Sequence, residues 1–136
     1  MSIKKNILDG IRVLDLSQFL SGPHTTLLLA GLGAEVIRVD NPKTGTALAK
    51  TPIYYGKWGP SFNKRDETDL GIAFLKRCRG KKSVTIDLKS EKGHELFLKL
   101  AKESDILVEN FSVGVTQRLK VDWPSLNQIN QRLIYC

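Results

Sequence analysis

Five short segments of the chain carry near-continuous apolar and β-branched character: Ile11 to Leu16, Glu35 to Asp40, Ser83 to Leu88, Asp105 to Asn110 and Arg132 to Cys136. Strands covered on both faces, as in a parallel sheet, show such runs in place of a strict apolar and polar alternation. Between the first two, Ser21-Gly22-Pro23 offers an N-cap and a first-turn proline, Leu27, Leu28 and Leu32 an apolar stripe, and Gly33 a stop. A second helix is predicted from Glu91 to Lys102 with Ser90 as its N-cap, where Leu96 stacks on Leu100 and Phe97 on Ala101 at i and i+4. Strand, crossover helix and parallel strand in succession make βαβ units. The fold class they predict is α/β, an open parallel sheet with flanking helices and right-handed connections.

Residues 43 to 76 break this rhythm. Thr44-Gly45, Tyr54-Tyr55-Gly56, Trp58-Gly59-Pro60 and the mixed charges Lys64-Arg65-Asp66-Glu67 read as a long surface excursion. At the other end, Arg132 to Cys136 reads as a buried strand with no return helix after it. Domains rarely end in mid-core, so a truncated product or an incomplete gene model is expected rather than a whole protein.

Composition narrows the class. With 136 residues, 41% hydrophobic and 26% charged, neither disorder nor a fibrous repeat is favoured. The longest apolar stretches, such as Thr25 to Leu32, are too short to cross a bilayer, and the start MSIKKNILDG lacks a signal-peptide core. A cytoplasmic protein without a membrane partner is expected. The two cysteines, Cys78 and Cys136, have neither a paired spacing nor histidines beside them, so plain reduced thiols are expected and no metal site. The excess of 21 basic over 14 acidic side chains, a formal +7, fits an anionic partner: nucleic acid, acidic lipid or a phosphorylated small molecule.

In open α/β sheets ligands bind beyond the carboxyl ends of the strands, which directs attention to the loops after residues 16, 40, 88 and 110. The first, Ser17 to His24, is rich in small residues and opens a helix, where backbone N–H groups are free to meet a phosphate. It matches neither GxGxxG nor GxxxxGK[ST], so ordinary dinucleotide or nucleoside triphosphate binding is not indicated. Gly31 and Gly33 fall at a helix end and read as termination. The basic run Lys76-Arg77-Cys78-Arg79-Gly80-Lys81-Lys82 reads either as a solvated loop or as a phosphate-binding surface. Nucleic acid is disfavoured, because Trp58, Phe62 and Phe74 precede that run without interleaving with it. Asn110-Phe111-Ser112 joins a two-way hydrogen-bonding amide to a stacking ring. His24 and His94 have no carboxylate or nucleophile at suggestive spacing and read as surface or packing residues.

The ordered set LDGIRVLDLSQFLSGP, GLGAEVIRVDNP, RGKKSVTIDLKSEKG, DILVENFSVGVTQRL and LNQINQRLIYC resembles family III CoA-transferases over nearly the whole chain apart from residues 43 to 76. The pattern is shared with α-methylacyl-CoA racemases. The resemblance implies a Rossmann-like large domain that binds coenzyme A, in a homodimer of interlocked chains, with an acyl-CoA and a small carboxylic acid as substrates. It implies a nucleophilic aspartate downstream of Cys136 and no catalytic residue within this chain. Coenzyme A contacts carried over by motif fall on Leu20, Ser21, Asn41, Ile86, Asp87, Leu88, Lys89, Asn110, Phe111, Ser112 and Arg118. Asn41 stands where relatives often have a basic residue, and Ser112-Val113 replaces a proline-containing turn. Phosphate contacts are therefore open to redistribution onto Arg79, Lys81 or Lys82. An acyl-CoA racemase and a non-catalytic coenzyme A-binding module are the alternative readings.

Overall fold

The computed structural model describes residues 6–136, and the polar start read at residues 1–5 lies outside the described residues. In chain order the first half comprises β1 (Arg12–Asp15), α1 (Ser21–Gly31), β2 (Glu35–Asp40), a 3-10 turn (Ala47–Lys50), β3 (Tyr54–Gly56), β4 (Gly59–Ser61), β5 (Leu70–Gly71) and α2 (Ile72–Arg77). The second half comprises β6 (Lys81–Thr85), α3 (Glu91–Lys102), β7 (Ile106–Val108), α4 (Val115–Leu119), α5 (Trp123–Asn127) and β8 (Ile134–Tyr135). The five apolar runs form one sheet in the order β6-β2-β1-β7-β8, with every neighbouring pair parallel. The chain works outward from β1 on one side and then restarts on the other at β7. The line between β1 and β7 is thus the switch point at which such sheets open a crevice for ligands.

Alternation along β1 divides the core between the two faces of the sheet. Leu14 and Leu16 join Val39, Ile86 and Leu107 in a cluster completed by Phe97 and Ala101 of α3 and Leu126 of α5. Val13 belongs to a second cluster with Val36, Val108 and, from α1, Leu29 and Ala30. Helices therefore cover both faces, as the unbroken apolar runs require.

The α1 helix departs from its expected packing. Ser21 is its first residue rather than its N-cap, which is Leu20, and no side chain caps the helix. Leu28 and Leu32 are 57% and 45% exposed, so the leucine stripe is not the buried face. The helix buries Gly22, Pro23 and Thr26 instead. A Cβ at Gly22 would stand 2.2 Å from that of Ser17, so this helix lies close to the loop after β1 because its contact face is small. Gly33, with φ of 104°, ends the excursion as expected.

The β6 strand is displaced from its expected Ser83 to Leu88 by pairing that begins at Lys81 and stops at Thr85. Lys81 can sit in a strand because its ammonium group is neutralised below the sheet. Its Nζ lies 2.9 Å from Asp15 Oδ2 and 2.6 Å from Thr26 Oγ1, and the two charged side chains are 1% and 0% exposed. Past Ile86, the carbonyl of Asp87 accepts the N–H and hydroxyl of Ser90, which turns the chain into α3. Ser90 Oγ then accepts from Gly93 N at 3.1 Å, so the α3 cap forms as its sequence predicts.

Residues 43–76 hold more structure than a surface excursion. They form a three-stranded antiparallel sheet, β4-β3-β5, anchored by buried Leu48, Thr46 and Asp69.

Candidate functional site

Just past the carboxyl ends of β1, β2, β6 and β7 lies a cavity of about 440 Å³. That volume falls in the roughly 300 to 1,000 Å³ range of small-molecule sites. Its apolar surface comes from Leu16, Val39, Ile86, Leu88, Phe111 and Leu119. Lys50 and Lys89 are the charged residues of the lining, and no carboxylate is among them. A neighbouring depression of about 400 Å³ shares Leu88, Lys89 and Leu119 with the cavity and adds Ser90, Glu91, His94, Arg118 and Lys120. A mainly cationic depression thus adjoins a mainly apolar cavity, with three residues common to both. Together they suit a ligand that joins an anionic head to an apolar or aromatic body.

Each wall is fixed by its own strand end. The loop after β1 contributes Gln18 and Phe19, the latter with φ of 62°, a left-handed conformation that strains a bulky residue. Asn110, after β7, holds that loop through both ends of its amide: Oδ1 accepts Gln18 N–H at 2.7 Å and Nδ2 donates to Gln18 O at 2.8 Å. Gln18 Oε1 accepts from Ala47 N at 3.4 Å, linking the same loop to the 3-10 turn after β2. The rim beyond β6 is set by Asp87, whose Oδ1 accepts from Lys89 N at 3.0 Å.

Of the eleven residues named from the sequence, Asn41, Ile86, Leu88, Lys89 and Phe111 meet in the cavity, and Arg118 stands in the outer depression. Leu20, Ser21, Asp87, Asn110 and Ser112 are not in either lining. Asn110 and Asp87 instead shape the loops that are. Asn41 uses Oδ1 to accept from Lys43 N at 2.8 Å and Thr44 N at 3.2 Å, so its side chain closes a turn. Sequence reasoning missed Gln18, Phe19, Ala47, Lys50 and Leu119. Gln18 and Phe19 follow a strand end directly and were open to inclusion on that ground. Lys50, the lone charge between Lys43 and Lys57, left no pattern to read.

The basic run is dispersed by the fold. Lys81 is buried against Asp15, Lys82 pairs with Glu35, and Arg79 Nε donates to the carbonyl of Lys76 at 3.2 Å. Arg38 pairs with Asp40, lies 5.2 Å from the centre of the Phe74 ring and donates to Cys78 Sγ. Burial nevertheless raises the Cys78 thiol above its ordinary value, outweighing the cations beside it. Glu35, hydrogen-bonded by Lys82 and Arg12, is held down to about 2. Among the described residues no group of three or more His, Cys, Asp or Glu could hold a metal ion, and no helix is long and apolar enough to cross a membrane.

The family model for CoA-transferase family III matches residues 8–136. The chain is 39% identical over 127 residues to the succinyl-CoA–L-malate CoA-transferase alpha subunit of Chloroflexus aurantiacus, covering 93% of this chain and 27% of that protein. It is 36% identical over 138 residues to the succinate–glutarate CoA-transferase of Agrobacterium fabrum, covering 100% of this chain and 33% of the relative. A solved CAIB/BAIF family protein from Brucella suis superposes with a TM-score of 0.81 at 37% identity, over 97% of this chain and 33% of that one. The chain therefore spans about a quarter to a third of the relatives it matches, and corresponds to their amino-terminal part. With the parallel sheet, the cavity at its switch point and a family match that runs from residue 8 to residue 136, the chain belongs to CoA-transferase family III.

Proposed function

We propose that this chain is the coenzyme A-binding portion of an enzyme that moves coenzyme A between an acyl-CoA thioester and a free carboxylic acid. The observation that carries the reading is the apolar cavity at the strand ends with the cationic depression beside it, the two sharing Leu88, Lys89 and Leu119. Lys89 and Arg118 stand at an open end suited to phosphates, and Ile86, Leu88, Phe111 and Leu119 line an interior suited to the adenine and the pantetheine arm. The relatives named above are transferases, which favours transfer over racemisation.

No aspartate of this chain is assigned the covalent step. All eight are engaged elsewhere, and none lines the cavity. Asp15 is neutralised by Lys81 and Asp40 by Arg38, while Asp69 Oδ2 accepts the N–H groups of Arg65 and Asp66. Asp9, Asp66, Asp87, Asp105 and Asp122 accept hydrogen bonds within turns or from neighbouring segments. This reading keeps the nucleophilic aspartate where the family resemblance alone implies it, beyond Cys136. The homodimer belongs to the same proposal and rests on that resemblance, and the cytoplasmic location is carried with it as the expectation from the sequence.

The test is Lys89→Ala in the complete enzyme. Loss of a charge-assisted phosphate contact should raise KM for different acyl-CoA thioesters by similar factors, about 1 to 3 kcal/mol in binding, and leave the preference among carboxylic acids unchanged. Unchanged KM values would remove Lys89 from the site. A change confined to one acyl group would move it to the acyl end.

A further inference from the structure

The cavity has two charged side chains and they belong to different groups. Lys89 lines both the cavity and the outer depression, where Arg118 and Lys120 join it, whereas Lys50 lines the cavity only, next to Ala47 on the 3-10 turn. Its backbone is well anchored. Leu48 beneath the turn is 3% exposed, Thr46 Oγ1 accepts from Leu48 N at 3.3 Å, and the Tyr54 hydroxyl donates to Lys50 O at 2.6 Å. The Lys50 ammonium group makes no ion pair with any described residue. Two cations of the basic run are already paired, Lys81 with Asp15 and Lys82 with Glu35. Lys50 is exposed and its ammonium group is solvated, so it is available to an anion entering the cavity, and an anchored backbone lowers the ordering cost of binding one.

We propose that Lys50 binds a phosphate of coenzyme A, separately from the Lys89 and Arg118 group. The proposal rests on the coenzyme A reading above. Coenzyme A carries phosphate in two places, a diphosphate at the ribose 5′ position and a monophosphate at the 3′ position. Cations from different segments, Lys50 on the 3-10 turn and Lys89 with Arg118 elsewhere on the two linings, match two separate anionic groups on one ligand.

Calorimetric titration of the chain with coenzyme A, 3′-dephospho-CoA and succinyl-CoA tests this. Lys50→Ala should weaken coenzyme A binding roughly ten-fold, and Lys50→Arg should restore most of the loss. Lys102→Ala, which removes the same charge at the far end of α3, should leave affinity unchanged. A loss seen with coenzyme A but not with 3′-dephospho-CoA puts Lys50 on the 3′-phosphate. An equal loss with both puts it on the diphosphate. Unchanged coenzyme A affinity in Lys50→Ala, or a loss confined to succinyl-CoA, overturns the proposal and leaves the coenzyme A reading standing. A wild-type chain that binds no coenzyme A overturns both.

Discussion

Asn110 and Gln18, 92 residues apart in sequence, are joined as a strand pair would be: the amide side chain of Asn110 accepts the Gln18 N–H at 2.7 Å and donates to the Gln18 carbonyl at 2.8 Å. One side chain thereby satisfies both backbone groups of a residue that lies past the end of β1, where the sheet ladder has stopped. It bridges the two strands on either side of the switch point and holds the loop that carries Phe19 into the cavity.

Asn110→Ala should therefore leave both Gln18 backbone groups without a protein partner and cost about 1 to 3 kcal/mol. Hydrogen exchange is the sensitive measurement. The Gln18 amide should exchange much faster in the ligand-free variant while the amides of β1 keep their protection. Asn110→Asp keeps the acceptor and loses the donor, so it should fall between. Equal Gln18 exchange in wild type and Asn110→Ala would show that the loop holds itself.

The buried Lys81 and Asp15 pair makes a larger claim. Lys81→Met leaves the Asp15 carboxylate in the core with hydrogen bonds but no counter-charge, an expected loss of about 3 to 5 kcal/mol in urea unfolding. Adding Asp15→Asn should recover part of it, since the amide oxygen still accepts from Ser17 N–H. No recovery in the double variant would mean that Lys81 acts through packing rather than charge.

The fold and the site differ in how much of each was legible in the sequence. Glu35–Asp40 and Glu91–Lys102 lie where the pattern put them, because each is long and carries a strong local signal: β-branched density in one, and Ser90 with the Phe97 and Ala101 stack in the other. The α2, α4 and α5 helices were missed. Each has only five or six residues, too few to be stable alone, and tertiary contacts hold them. The leucines of α1 misled because polar and apolar residues do not segregate to opposite faces of this helix: Thr26 is buried while Leu28 is exposed. The strand-end rule led to loops that line the cavity. It could not find Lys50, whose place depends on how the 3-10 turn packs against β5 and α2.

Acid should act through Glu35. Lys82 and then Arg12 hold its carboxyl at about 2, below the ordinary 4.5, so the folded state binds this proton more weakly than the unfolded chain does. The resulting stability is present in full above about 4.5 and is lost as pH falls toward 2. Glu35→Gln lacks that titration. The gap in urea midpoint between wild type and Glu35→Gln should be widest at about pH 6 and shrink toward about pH 2. A gap that stays constant would show that the pairing contributes nothing to folding.

The two thiols should separate by reactivity. Cys136 is exposed, whereas Cys78 is partly buried against Arg38 with its thiol raised by burial. At neutral pH an aromatic disulfide reagent should titrate one thiol quickly and the second slowly, with the slow phase abolished in Cys78→Ser. Two equally fast thiols would contradict the burial of Cys78.

Backbone chemical-shift mapping of the chain during titration with coenzyme A tests the central claim most directly. The account predicts saturable shifts at Val39, Asn41, Ile86 to Lys89, Phe111, Leu119 and the Phe19 loop, with Arg118 marking the outer end. No saturable shift, or shifts centred on the depression of Arg38, Phe74 and Cys78 on the other side of β6, would contradict it.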